Sequence, residues 1–139
     1  LEKGHIIIGQ DTDAMSHPME VQMGWAVSHK KPFFVGGRTI AELEMKSPTR
    51  RLVGFVVNAK NAPIPLESHL VLDGAQMTGR VTSCNHSPTL GKPIGLAYVQ
   101  PHFAEPGSQI KIKSSGGVMV TADIVTLPFY DPKTLRQEL

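Results

Sequence analysis

The sequence predicts a mainly β protein, a six-stranded closed or nearly closed barrel of Greek-key type preceded by a strand and two short helices. Three observations carry this expectation. From Arg50 onward, short apolar runs alternate with turn residues at the spacing of a small barrel or sandwich. Six such runs within roughly 75 residues would leave two bare edges in an open sheet, and closure removes that liability. The stretch Gly79 to Val99, GRVTSCNHSPTLGKPIGLAYV, sets two sheet-like runs about a polar, proline-bounded corner.

In chain order, Ile6, Ile7 and Ile8 between Gly4 and Gly9 read as a short buried strand entering the turn GQDTD. Asp11, Thr12 and Asp13 are turn or cap formers. Pro18 near a first helical position, Glu20 in the first turn, and Met19, Met23 and Val27 at helical spacing predict a short helix ending near Ser28. After Gly36 and Gly37, the run IAELEMK predicts a second helix, with Glu42 and Lys46 one turn apart and Pro48 beyond its end. Strands are expected near Leu52 to Ala59, His69 to Leu72, Gly79 to Ser83, Ile94 to Gln100, Gln109 to Lys113 and Val118 to Leu127. Asp73-Gly74 and Gly116-Gly117 are hairpin turns. In the corner, Ser83, Asn85 and Ser87 can hydrogen-bond their own backbone, Pro88 fixes φ, and Gly91 suits a left-handed turn position.

Composition excludes several function classes. With 139 residues, 40% apolar and 19% charged, the chain can bury a real core and is not a disordered segment. Its 14 basic and 12 acidic residues, net +2, select no polyanionic partner. Eight aromatic residues (one Trp, two Tyr, five Phe) without a basic stripe argue against nucleic acid binding. The single cysteine, Cys84, excludes an internal disulfide and a Cys-based zinc cluster and suits a reducing cytoplasm. No apolar run reaches the roughly 18 to 20 residues of a spanning helix, so no membrane partner is expected. The chain opens on Leu1 in strand-like sequence, which reads as a fragment of a longer protein.

The candidate chemistry is sparse. Histidines 5, 17, 29, 69, 86 and 102 show no metal-ligand spacing, so no metal site is expected. Cys84 with His86 two residues on has the composition of a thiol nucleophile and base, yet a buried, idle thiol is the plainer reading. Lys30 and Lys31 either hold an anionic group or complement a helix C-terminus. Glu2 precedes an apolar run, where a carboxylate is costly unless paired. A ligand with two adjacent N–H donors, such as the amino-pyrimidinone edge of a pterin, is one partner; solvent is the ordinary alternative.

Several motifs resemble one family. LEKGHIIIGQDTD is similar to its LE-x-G followed by G-x-D-x-D, KKPFFVGG to its basic pair and F-x-G, and RRLVGF to its first barrel strand. GRVTSCNHSPTLGKPIGLAYV resembles its most recognisable signature, and GQDTD with PFYDP resembles one branch. The family is that of the aminomethyltransferases, the glycine cleavage T-protein and its relatives, and the branch is the alpha subunit of heterotetrameric sarcosine oxidase.

This resemblance implies a tetrahydrofolate-dependent one-carbon enzyme that forms 5,10-methylenetetrahydrofolate from an aminomethyl donor or an oxidised methylated amine. FAD and NAD would belong to other domains or subunits. Residues 1–48 would be the end of a folate-binding domain, 49–127 the C-terminal barrel closing the folate cavity, and 128–139 a surface tail. Glu2 matches the family's pterin-binding glutamate. Lys31 falls where the family has an arginine near the folate tail, but lysine lacks the planar fork that grips a carboxylate. Cys84 replaces a usual glycine, Tyr130 has no clear folate role, and the family's catalytic aspartate lies upstream, so no catalytic residue is assigned here. Expected partners are the folate, the methylated amine or aminomethyl donor, the upstream folate-binding domain and other oxidase subunits. The competing expectation is a non-catalytic folate-binding or protein-interaction barrel.

Overall fold

Six strands form where the apolar runs occur: β1 (Arg51–Val56), β2 (Leu70–Asp73), β3 (Gln76–Ser87), β4 (Lys92–Val99), β5 (Gln109–Lys113) and β6 (Met119–Val125). The structure is a computed structural model and describes residues 1–137; the last two residues of the expected 128–139 tail lie outside the described residues. All neighbouring strands are antiparallel, and the order β1-β4-β3-β2-β5-β6 returns to β1 to close the barrel. Strands β2, β3 and β4 are consecutive neighbours, and β5 returns to lie beside β2, which is the Greek-key connection.

Alternation decides which side chains fill the barrel. Ile110 and Ile112 of β5, and Val120, Ala122 and Ile124 of β6, point inward between more exposed neighbours. They meet Val53, Phe55, Val57, Val71, Val81, Ala97 and Val99 in one apolar core. β1 and β4 break the alternation, because both their faces are covered. On the outer face Leu52, Leu96 and Tyr98 are buried beneath Ile6, Val21, Leu127 and Phe129. The N-terminal segment and the tail therefore pack side by side on the outside of the barrel.

The corner is tighter than its sequence suggests. β3 runs on through Asn85 and His86 to Ser87, paired with Lys92 to Leu96 of β4, with a bulge between Val81 and Ser83. Only residues 88–91 turn. Gly91, at φ 67°, donates its N–H to the Ser87 carbonyl at 2.8 Å, and Leu90 donates to the Ser87 Oγ at 3.0 Å. Cys84 lies in extended backbone, so the side chain there carries no left-handed strain.

Two N-terminal elements differ from expectation. In place of a buried strand at Ile6 to Ile8 there is a single bridge from Ile8 to Thr12, and Ile8 is 82% exposed. Asp11 is the cause: its Oδ2 accepts the Ile7 N–H at 2.8 Å and its own N–H goes to the Ile7 carbonyl at 2.8 Å, folding the chain back on itself. The helix expected up to Ser28 is reduced to one 3₁₀ turn, Gly24–Ala26. Gln22 stands at φ 58°, which no helix continues, and its side-chain amide donates instead to the Leu52 carbonyl at 2.8 Å. The second expected helix forms as α1 (Gly37–Glu44), with Ile40 and Leu43 half-buried and no residue fully buried.

Candidate functional site

Glu2 is held by the barrel corner. Ser87 Oγ donates to Glu2 Oε1 at 2.5 Å, and Thr89 Oγ1 donates to Glu2 Oε2 at 3.1 Å. The two hydroxyls flank Pro88, so the turn that closes β3 on β4 also sets their spacing. These hydrogen bonds, Ser87 first and Thr89 second, hold the Glu2 carboxyl below the ordinary carboxylate range against a smaller opposing effect of burial. The chain around Glu2 is anchored on its other side by the tail. Tyr130 donates its N–H to the Glu2 carbonyl at 3.1 Å, and Lys3 Nζ reaches the Asp131 carbonyl at 2.7 Å and Oδ2 at 3.2 Å. Glu2 thereby lines a cleft of about 510 Å³ with His5, His86, Ser87, Pro88 and Ile94.

A second contact fixes the same segment. Asp11 is fully buried, and Thr82 donates its hydroxyl to Asp11 Oδ1 at 2.5 Å. Gln10 adds a hydrogen bond from Nε2 to the Thr82 carbonyl at 3.0 Å. GQDTD is therefore a plug seated on the VTS segment of β3, more than the turn its composition suggests. Beyond it, Arg50 lies 4.4 Å and Arg80 5.9 Å from the Tyr98 ring centroid, with Glu20 and Asp13 as their carboxylate partners. Ser16 meets the Tyr98 hydroxyl at 3.1 Å.

Lys31 lies elsewhere. It is exposed and lines a groove of about 570 Å³ beside α1, with Phe33, Phe34, Ile40, Arg38 and His29 among its walls. Glu2 and Lys31 share neither of the two cavities. Cys84 packs against the barrel core, and burial pushes its thiol up to about 12. It therefore stays protonated at neutral pH. Thiol titration with a disulfide reagent is expected to show slow reaction in the native chain and fast reaction after denaturation; fast native reaction would restore Cys84 as a nucleophile. Among the described residues no three His, Cys, Asp or Glu side chains cluster as metal ligands, and no helix is long and apolar enough to cross a membrane.

Sequence reasoning offered Glu2 as a candidate without the two hydroxyls that hold it, and placed Asp11 in a turn without its partner on β3. A hint was present in both cases. Ser87 and Thr89 bracket a proline in a polar corner, and Asp11 stands among residues whose side chains often capture backbone N–H groups.

Residues 50–131 match the family described as the glycine cleavage T-protein C-terminal barrel domain. An aminomethyltransferase of Halothermothrix orenii is 36% identical over 129 residues, which cover 93% of this chain and 35% of that protein. One from Thermotoga petrophila is 35% identical over 137 residues, covering 99% of this chain and 36% of its own length. The crystal structure of the glycine cleavage system aminomethyltransferase T from Bartonella henselae superposes with a TM-score of 0.84 at 23% identity, over 92% of this chain and 36% of that one, and so shares the fold. The chain thus spans about a third of the length of these relatives.

Proposed function

Because the chain belongs to the glycine cleavage T-protein family, with residues 50–131 as its C-terminal barrel domain, we propose that it supplies one wall of a tetrahydrofolate pocket and the barrel that lids it. The enzyme concerned is a one-carbon transfer enzyme. The observation that carries this is the Glu2 carboxylate, held ionised at a cleft with one hydroxyl donor on each oxygen. A carboxylate offers about four acceptor positions, so such a group fits a ligand edge with paired N–H donors. Bound tetrahydrofolate supplies the nitrogen that takes up the one-carbon unit. Glu2 binds and orients the pterin edge, the barrel excludes water from one side, and Lys31 offers a point charge to the anionic folate tail.

Residues 1–48 are on this proposal the end of the folate-binding domain, 49–127 the barrel and 128–139 its surface tail. Large apolar side chains bared in the first segment, Trp25 at 82%, Phe33 at 83% and Val35 at 94% exposure, favour an upstream folate-binding domain as their cover. The motif forms GQDTD and PFYDP favour the amine-oxidising branch over direct aminomethyl transfer. In that branch the donor is a methylated amine, and flavin and nicotinamide cofactors sit on other domains or subunits.

Calorimetric titration of tetrahydrofolate into the full polypeptide that carries this chain tests the proposal. Glu2→Ala is expected to weaken binding about tenfold or more, the scale of a lost charged hydrogen-bond pair. An unchanged affinity would remove Glu2 from the pocket. Formation of 5,10-methylenetetrahydrofolate from a methylated amine separates transfer chemistry from a non-catalytic binding barrel.

A further inference from the structure

The barrel corner does more for the site than close a hairpin. We infer that Ser87 and Thr89 are positioning residues for Glu2, each taking one acceptor position on a different carboxylate oxygen and leaving the remaining edge for a ligand with two adjacent N–H donors. This rests on the assignment of Glu2 to a tetrahydrofolate pocket and adds the groups that orient it.

Three features of the contact support the inference. The donors reach different oxygens, Oε1 and Oε2, so the carboxylate plane is set by two points and cannot spin about its own axis. Ser87 is 2% exposed and is itself fixed, because its Oγ accepts the Leu90 N–H at 3.0 Å, which commits the hydroxyl proton to Glu2. A hydroxyl that only capped the turn would need no carboxylate at this point. Among the described residues, no Lys, Arg or His side chain pairs with Glu2; the Ser87 and Thr89 hydroxyls are the leading influences on its charge. A salt bridge would compete with an incoming cationic or N–H-bearing edge, whereas hydroxyls hold the carboxylate and leave its charge available.

The pH dependence follows in sign. With its folded pKa lowered, Glu2 is ionised throughout the neutral range and loses its charge only as pH falls below the ordinary carboxylate value of 4.5. Removing a hydroxyl raises that pKa, so the acid limb of ligand affinity moves to higher pH. The ligand's own ionisations are common to all variants and cancel in the comparison.

The test is tetrahydrofolate affinity against pH in the full polypeptide, for the wild type and for Thr89→Val, Thr89→Ser, Ser87→Ala and Glu2→Ala. Thr89→Val keeps the branched shape and removes the hydroxyl at an exposed position, so it remains informative where Ser87→Ala perturbs the turn. Expected are about three- to tenfold weaker binding for Thr89→Val at neutral pH, an acid limb displaced to higher pH, and recovery of both in Thr89→Ser. Weakening by the same factor at every pH, with the limb unmoved, overturns the inference while leaving Glu2 in the pocket. Wild-type affinity in Glu2→Ala removes the pocket assignment and this inference together.

Discussion

Gly79→Ala is expected to be among the most damaging single substitutions in the chain, lowering stability by about 3 kcal/mol or more and the melting temperature by roughly 10 °C. Gly79 sits in β3 opposite Val71 of β2 and Val99 of β4. A Cβ there would lie 2.0 Å from the Tyr98 carbonyl oxygen and 3.0 Å from the Val99 Cα. Both are backbone atoms of a strand already paired on its other side with β1, so relief requires moving a ladder. The damage would spread outward, because Tyr98 carries the Arg50 and Arg80 stack and underlies the N-terminal segment. Urea unfolding followed by circular dichroism measures it. A variant as stable as the wild type would mean that β3 and β4 separate more easily than the closed order allows.

Thr82→Val is the second large effect, and it separates fold from site. Valine keeps the shape and the β-branched preference for a strand but removes the only side-chain donor that reaches Asp11 Oδ1 among the described residues. Asp11 is buried and is left with an unpaired charged oxygen, a loss of about 3 kcal/mol. The first effect is expected at residues 6–16, as cleavage by added protease at concentrations that leave the wild type intact. Combining Thr82→Val with Asp11→Ala is expected to cost less than the sum of the two, since the second change removes the stranded charge. Strict additivity would show that the hydroxyl and the carboxylate do not depend on each other.

How much of this was legible in the sequence depends on the range of the forces involved. The six strands were readable because apolar runs and turn residues are local signals: Gln109 to Lys113 alternates cleanly, and Asp73-Gly74 turns the chain between β2 and β3. Strand ends were less readable. Polar Asn85 and His86 look like loop, yet pairing with Pro93 and Ile94 extends β3 through them. The N-terminal third misled for the same reason in reverse. Three consecutive isoleucines have strong β preference, but Asp11 holds the Ile7 backbone and the chain folds back, leaving Ile8 in the open. Helical spacing around Met19 and Met23 lost to contacts with β1, where the Glu20 carbonyl accepts the Leu52 N–H at 2.7 Å.

The sequence alone determined a six-stranded, mainly β fold, its hairpins and the family to which its motifs point, and with that family a Greek-key barrel, because repeated local periodicities and short motifs survive without knowledge of neighbours; closure was decided by the pairing of β1 with β6. It also offered Glu2 as a candidate, through the family motif more than through its place beside an apolar run, where solvent is the ordinary alternative. Which partner it takes was decided by the tertiary structure. Ser87 and Thr89 lie 85 and 87 residues further along the chain, and only closure of β3 on β4 under the N-terminal segment brings their hydroxyls to the carboxylate. The same holds for Asp11 and Thr82, separated by 71 residues. A hydrogen bond acts over a few ångströms and carries no trace along the chain, so folding alone could assemble these pairs.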